Sequence, residues 1–213
     1  MESRLRDIRS KRNPKARIKV MEGHFATSHS HINTYIDMST VKCRYNNARE
    51  TARTLAAKYV TTLSVDTIVC LDGTEMIGAY MAETLAENSV LSINSGKNIS
   101  VVAPEINSMG QMIFRDNTQR MIKNMQVLLL VASATTGKTI DRAVECIEYY
   151  EGGVCGISAI FSAAKKIHGI EINTIFTDSD LPDYRAYSHA DCPYCRQNMR
   201  VEAIVNSYGY SKL

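Results

Sequence analysis

The stretch VLLLVASATTGKTI at residues 127–140 decides the fold class of this chain. Its first half is a continuous apolar run, which predicts a buried strand, and its second half is a loop rich in hydroxyls that leads into a helix. Backbone N–H groups at a helix N-terminus lack partners within the helix and carry partial positive charge. We therefore predict a phosphate-binding loop, formed by Ala134, Thr135, Thr136, Gly137, Lys138 and Thr139.

Two other interpretations of this loop are weaker. In the nucleotide-binding pattern G-x-x-x-x-G-K-[ST], residues 136–139 would supply the second half, but Ala132 stands where the first glycine belongs. A mononucleotide kinase or an ATPase is therefore not favoured. A strand-to-helix turn also needs capping, which threonine and glycine supply, so a cap without a ligand is the second alternative.

Strand-like and helix-like segments alternate along the chain, which favours an α/β fold with a mainly parallel sheet flanked by helices. The predicted strands are 67–71, 99–103, 126–131, 154–161 and 171–176, and the predicted helices are 46–59, 75–87 and 138–150. Residues 20–40 and 177–213 show no clear periodicity and are expected to flank the sheet.

Three segments in this order resemble the type I phosphoribosyltransferases, and among them the orotate phosphoribosyltransferases. The first is the phosphate-binding loop. Residues 72–82 look like the turn that receives pyrophosphate in that family, and they begin with Asp72, Gly73, Thr74 and Glu75. Residues 22–37, which contain EGHF and then SHSHINTYID, resemble the family's small N-terminal hood. The resemblance implies the type I phosphoribosyltransferase fold, with a 5′-phosphate in the loop.

The same resemblance implies that most of the family's catalytic groups are missing. The family holds ribose and magnesium with an acidic pair after the strand, where this chain has Val131 and Ala132. Cations on a mobile loop neutralise the departing pyrophosphate in the family, and here their positions hold Ala103, Pro104 and Asn107. In the hood, Ser30 replaces a lysine and His29 a glycine. We expect no ordered magnesium ion and weak or no turnover of phosphoribosyl pyrophosphate.

Positive charge is concentrated at the N-terminus. Residues 1–19 carry eight Lys or Arg against Glu2 and Asp7, while the 213-residue chain has a net charge of +3. Such an arm is compatible with nucleic-acid binding, but a solvated, partly frayed helix is favoured. The sequence contains neither a membrane-spanning apolar run nor an apolar signal segment, so we expect a cytoplasmic protein without a membrane partner. We divide the chain into a basic arm (1–19), a phosphoribosyltransferase-like domain (20–180) and a C-terminal extension (181–213).

The C-terminal extension carries a second chemical signal. Six irregularly spaced cysteines favour free thiols or a metal site over a disulfide scaffold. Cys192 and Cys195 form a C-x-x-C element, and His189 lies three residues before it, so these three residues are predicted zinc ligands. The candidates for a fourth ligand are Cys43, Cys146, Asp191 or a residue of a second subunit. Unliganded, reduced cysteines are the alternative. The hood histidines at 24, 29 and 31 are candidates for binding a ligand, although hydrogen bonds to their turn are the commoner role of such histidines.

Two functions remain open at this point. One is a protein of the orotate phosphoribosyltransferase type that binds a phosphorylated ribose or a nucleotide without efficient transfer, including a nucleotide-responsive regulator that contacts nucleic acid. The other is an active phosphoribosyltransferase with an altered substrate. Because members of the family commonly share hood and loop residues across a two-fold axis, the resemblance also implies a homodimer.

Overall fold

The computed structural model describes residues 2–87, 89–135 and 137–213, so Thr136 of the phosphate-binding loop lies outside the described residues. In chain order the strands are β1 (Arg6–Arg9), β2 (Arg17–Ala26), β3 (His31–Asp37), β4 (Thr67–Cys70), β5 (Ser100–Val102), β6 (Glu105–Ile106), β7 (Met112–Ile113), β8 (Gln126–Ala134), β9 (Gly153–Ser162), β10 (Lys166–Ile167), β11 (Ile170–Thr177), β12 (Ala186–Tyr187), β13 (Ala203–Asn206) and β14 (Gly209–Lys212). The helices are α1 (Ser39–Cys43), α2 (Tyr45–Ala56), α3 (Glu75–Ala86), α4 (Asp116–Gln119), α5 (Lys138–Tyr149) and α6 (Pro193–Arg196), preceded by a 3-10 turn at Glu2–Arg4.

The central sheet has the strand order β10-β11-β9-β8-β4-β5. All its neighbouring pairs are parallel except β10 with β11, which form an antiparallel hairpin at one edge. Each strand predicted from the sequence is present in this sheet, and α2, α3 and α5 occupy the predicted helical segments. The predicted α/β class with a mainly parallel sheet is confirmed.

The apolar run in β8 supplies both faces of the core. Leu128, Leu130 and Ala132 pack with α2 and α3 on one face of the sheet, and Val127, Leu129 and Val131 pack with α5 on the other. Because side chains of a strand alternate between faces, a central strand buried on both sides must be apolar at every position. The carboxyl end of this strand delivers the phosphate-binding loop to the edge of the sheet.

A second sheet lies where the sequence shows no clear periodicity. Its strands run in the order β12-β3-β2-β13-β14, and β1 pairs with β2 outside this path. Its small core unites the hood with the C-terminal extension and contains Met21, Phe25, Ile32, Tyr35, Ala203 and Val205. The extension is therefore built into the same sheet as the hood, and its last two strands form a hairpin beside β2.

The basic arm is part of this sheet, so the expectation of a frayed helix is wrong. Residues of β1 pair antiparallel with β2, which satisfies backbone groups that a helix would have paired internally. Arg12 donates hydrogen bonds to Asn173 Oδ1 and Thr174 O, both at 2.7 Å, and burial lowers the pKa of its guanidinium. Lys11 donates to Ser179 O at 2.6 Å. Cations of the arm thus hold the N-terminus against the central sheet.

Candidate functional site

The phosphate-binding loop joins the end of β8 to the start of α5. Gly137 precedes the first residue of α5 with φ of 80°, in the left-handed region that glycine adopts without a steric penalty. Among the described residues, no side chain caps the N-terminus of α5. The first N–H groups of this helix are therefore available to another acceptor, which is the arrangement that binds anions in many proteins.

A cavity of about 300 Å³ lies over this loop. From the loop it is lined by Ala134, Thr135, Gly137 and Thr139. Residues 27–30 form a second wall, which we call the hood turn, and residues 205–207 form a third, which we call the C-terminal turn. The volume lies at the lower end of the range for small-molecule sites, which begins at about 300 Å³.

Some of the predicted site residues lie outside the lining of this cavity. Lys138 is exposed at the first position of α5. In the pyrophosphate-like turn, Gly73 and Glu75 do not line the cavity, and Thr74 is buried with its hydroxyl donating to Leu71 O at 2.8 Å. Only Asp72 of that turn faces the cavity, and it is the one side chain with a formal charge among the described lining residues.

Burial raises the pKa of the Asp72 carboxyl, and the charge of Lys42 opposes this effect. The Ser207 side chain and the backbone of Ala132 also oppose the rise in this pKa. Lys42 is 6% exposed, and its Nζ donates to Asp72 O at 2.8 Å and to Ser207 O. Lys42 thus links Asp72, which follows β4, to Ser207 of the C-terminal turn.

The positions at which the family carries its acidic pair lie at the end of β8. Val131 is fully buried among apolar side chains on the α5 face, whereas Ala132 lies on the opposite face and lines the cavity.

Residues 105–113 form the β6–β7 hairpin, in which Glu105 accepts two hydrogen bonds of 2.7 Å from the guanidinium of Arg115. In the hood turn, His29 and Ser30 line the cavity.

A second site lies at the base of the hood. His24, His31, Cys192 and Cys195 bring four ligand atoms within 4.8 Å of one another, close enough to hold one metal ion. His24 Nε2 is 2.9 Å from His31 Nδ1 and 3.4 Å from Cys192 Sγ, and Cys195 Sγ is 3.2 Å from His31 Nδ1.

The surroundings orient these ligands. His24 is 1% exposed, and its Nδ1 lies 3.0 Å from Met199 O, so that Nδ1–H donates to the carbonyl and Nε2 faces the other ligands. The ring of Tyr194 stacks on His24 with centroids 5.2 Å apart. Burial, and then the charges of His24 and His189, lower the pKa of His31, which favours the neutral ring that binds metals.

The sequence analysis predicted Cys192 and Cys195 as ligands but missed both histidines. His189, its predicted third ligand, is not in the four-residue group, and its ring packs edge-on against His31 with centroids 4.7 Å apart. Cys43, Cys146 and Asp191, the candidates for the fourth position, are likewise outside the group. The useful signal was the pair of histidines on either side of the hood turn, which adjacent antiparallel strands bring together.

Comparison with solved structures shows the same fold at low sequence identity. UMP synthase from Leishmania donovani superposes with a TM-score of 0.55 and 17% identity over 84% of this chain, which spans only 36% of that protein. Orotate phosphoribosyltransferase from Mycobacterium tuberculosis H37Rv, in complex with phosphoribosyl pyrophosphate, superposes with a TM-score of 0.51 and 13% identity. The match covers 69% of this chain and 82% of the other. Adenine phosphoribosyltransferase from Trypanosoma brucei, in complex with AMP, pyrophosphate and ribose 5-phosphate, superposes with a TM-score of 0.53 and 13% identity. The match covers 83% of this chain and 80% of the other.

No family model and no curated protein matches the sequence. At these identities the structural likeness establishes the fold alone. The chain therefore has the type I phosphoribosyltransferase fold, as the sequence resemblance implied. Among the described residues, no helix is long and apolar enough to cross a membrane.

Proposed function

We propose that this protein binds the 5′-phosphate of a phosphorylated ribose or a nucleotide and has weak or no phosphoribosyltransferase activity. The observation that carries the proposal is the cavity in which the phosphate-binding loop, the hood turn and the C-terminal turn meet. In this proposal the phosphate lies at the N-terminus of α5, and the sugar extends between the hood turn and the C-terminal turn.

The loop offers three kinds of donor to a phosphate. These are the uncapped N–H groups of α5, the hydroxyls of Thr135 and Thr139 that line the cavity, and by sequence the hydroxyl of Thr136. Lys138 adds positive charge from the solvent side of the same turn. Because hydrogen bonds to an ionised group contribute about 1.5–3 kcal/mol each, a few of them suffice for micromolar binding of a dianion.

The proposed loss of catalysis follows from the groups that surround the sugar. Val131 and Ala132 cannot bind ribose hydroxyls or order a hydrated magnesium ion. The described lining of the cavity contains no Lys or Arg side chain that could neutralise a departing pyrophosphate. Removal of one oriented charge-stabilising group typically costs about 2.7–4 kcal/mol of transition-state stabilisation, and several are missing here.

Asp72 adds a further reason to favour a monophosphate. Its carboxylate faces the cavity next to the turn that receives pyrophosphate in the family. A negative charge at this position repels a diphosphate but accepts hydrogen bonds from sugar hydroxyls.

Calorimetric titration tests the proposal with ribose 5-phosphate, ribose and inorganic phosphate. Ribose 5-phosphate should bind without magnesium, ribose should show no heat of binding, and phosphate should compete. Equal binding of ribose and ribose 5-phosphate would show that the phosphate is not recognised. The alternative of an active transferase predicts magnesium-dependent binding of phosphoribosyl pyrophosphate with release of pyrophosphate.

We also propose that the ion held by the second site is zinc. Two thiolates and two imidazoles are a common donor set of structural zinc, and bond lengths of about 2.0–2.3 Å place tetrahedral ligand atoms about 3.3–3.8 Å apart. The contacts of 2.9–3.7 Å among the four residues approach this spacing. Elemental analysis of protein purified without added metal should find one zinc per chain. The absence of both bound zinc and the visible absorption of tetrahedral Co²⁺ after exchange would contradict the assignment.

Three finer expectations also remain proposals. The homodimer rests on the family resemblance, and sedimentation equilibrium tests it. Binding of nucleic acid by residues 1–19 is less favoured, because cations such as Arg12 and Lys11 bond to the protein itself. The division at residues 19 and 180 separates segments that the second sheet joins, and limited proteolysis would show whether either boundary is cut first.

A further inference from the structure

We infer that the metal site controls the affinity of the cavity for its phosphorylated ligand, because two of the three cavity walls are attached to the four metal ligands. This inference rests on the proposed function above. It adds a dependence on the metal that binding by the loop alone does not require.

The first attached wall is the hood turn. His24 near the end of β2 and His31 at the start of β3 flank residues 27–30, all of which line the cavity. Within the turn, Thr27 N–H donates to Ser30 O at 2.8 Å. The β2–β3 ladder pairs Ala26 with His31 at the base of this turn, and a metal bound to both histidines adds a side-chain cross-link there that further restricts the cavity-lining side chains.

The second attached wall is the C-terminal turn. Cys192 directly precedes the short helix α6, and Cys195 lies within it. Met199, which follows the helix, accepts the hydrogen bond of His24 through its carbonyl oxygen. The chain then enters β13, which pairs with β2 at only two positions, and the tip of the following hairpin reaches the cavity. The metal site therefore adds a cross-link at the start of this hairpin, which Lys42 also holds through Ser207 O.

The segment between β12 and β13 has almost no core of its own. From residue 186 to residue 202, Cys192 alone is buried, and the neighbouring side chains are exposed or half-buried. A segment that buries so little apolar surface cannot offset the conformational entropy lost on ordering. Coordination of a metal by two of its cysteines supplies the missing stabilisation, as in small metal-dependent domains.

The coupling follows from this attachment. With the metal bound, the hood turn and the C-terminal turn are held in place before the ligand arrives. Without it, part of the ligand's binding free energy must order both turns, so the apparent affinity falls. Coupling between two sites in one protein typically changes affinity about 5- to 150-fold, and a loss of at least about tenfold is expected here.

The experiment compares the full-length protein loaded with zinc and the same protein after chelation and removal of the chelator. Ribose 5-phosphate binding is measured by calorimetry, and hydrogen exchange is followed at residues 27–30 and 205–207 in the absence of ligand. Chelation should weaken binding at least about tenfold and speed exchange in both turns, and added Zn²⁺ should restore both.

A matched pair of variants separates the metal site from cysteine chemistry in general. Cys195 and Cys43 are both exposed, but only Cys195 belongs to the four-residue group. Cys195→Ser should reproduce the effect of chelation, whereas Cys43→Ser should bind and exchange like the unmodified protein with zinc.

The outcomes separate the two proposals. Equal affinities with and without zinc would overturn the coupling and leave the proposed function intact. Tight binding by the zinc-free protein together with unchanged exchange in both turns would do the same. If the zinc-loaded protein binds no ribose 5-phosphate, the proposed function fails and the coupling fails with it.

Discussion

Replacement of Gly137 by alanine is the sharpest test of the phosphate-binding loop. Gly137 has φ of 80°, and a left-handed conformation costs a residue with a Cβ about 1–2 kcal/mol. The added Cβ would also lie 2.9 Å from Ile167 Cδ1, the far end of a flexible side chain. Moving that side chain off its rotamer costs about 0.5–1.5 kcal/mol, so the free energy of unfolding should fall by about 1.5–3.5 kcal/mol in total.

The effect on binding follows from the position of Gly137. It directly precedes the first turn of α5, and relief of the strain would displace the N–H groups that are proposed to bind the phosphate. Loss of one hydrogen bond to an ionised group, about 1.5–3 kcal/mol, corresponds to a loss of affinity of about 10- to 140-fold. Calorimetry with ribose 5-phosphate measures this loss, and urea unfolding measures the stability.

Gly110→Ala is the matched control. Gly110 has φ of 76° in the β6–β7 hairpin, no atom lies within 4 Å of its added Cβ, and it does not line the cavity. The control should lose about 1–2 kcal/mol of stability and no affinity. If Gly137→Ala binds ribose 5-phosphate as tightly as the unmodified protein, the loop conformation does not create the phosphate site.

Two further predictions concern a hydroxyl and a carboxylate. Thr139 lines the cavity, and Thr139→Val should weaken the binding of ribose 5-phosphate about tenfold or more in calorimetry while the thermal stability stays unchanged. The control is Thr84→Val, which removes a hydroxyl that donates to Tyr80 O on α3 and should leave the affinity unchanged. A hydrogen bond from Lys97, followed by one from the N–H of Gln126, lowers the pKa of Asp66. The stability that this carboxylate contributes is therefore present above its unfolded-state pKa of about 4 and is lost as the pH falls through its lower folded-state pKa. Asp66→Asn should be about 1 kcal/mol less stable than the unmodified protein at pH 7. In urea titrations at falling pH, the difference in unfolding free energy between the two proteins should disappear. A difference that persists at pH 2 would contradict this cause.

The parts of the fold that depend on local pattern were predictable from the sequence. The apolar run that became β8 was predicted as 126–131 and observed as Gln126–Ala134, and the helix after it was predicted as 138–150 and observed as Lys138–Tyr149. A strand buried on both faces and a helix that begins at a glycine turn each carry a signal within about a dozen residues. The central sheet follows from such signals.

The second sheet and the metal site could not be predicted in the same way. Strand β13 pairs with β2 from the other end of the chain, and His24 meets Cys192 across a separation of 168 residues. Neither segment carries a clear periodic pattern, because β13 has only four residues and an irregularity between Glu22 and Phe25 interrupts the alternation in β2. The C-x-x-C element indicated a metal, but the sequence alone pointed to the nearby His189, whereas the hood supplied His24 and His31.

We propose that the chain keeps the phosphate site of its fold without the reaction. Titration of the zinc-loaded protein with phosphoribosyl pyrophosphate and Mg²⁺, and in parallel with nucleoside monophosphates, tests this proposal while pyrophosphate release is recorded with each candidate base. A nucleoside monophosphate should bind without magnesium, and no pyrophosphate should be released above the uncatalysed rate. Magnesium-dependent binding of phosphoribosyl pyrophosphate followed by steady release of pyrophosphate would contradict it.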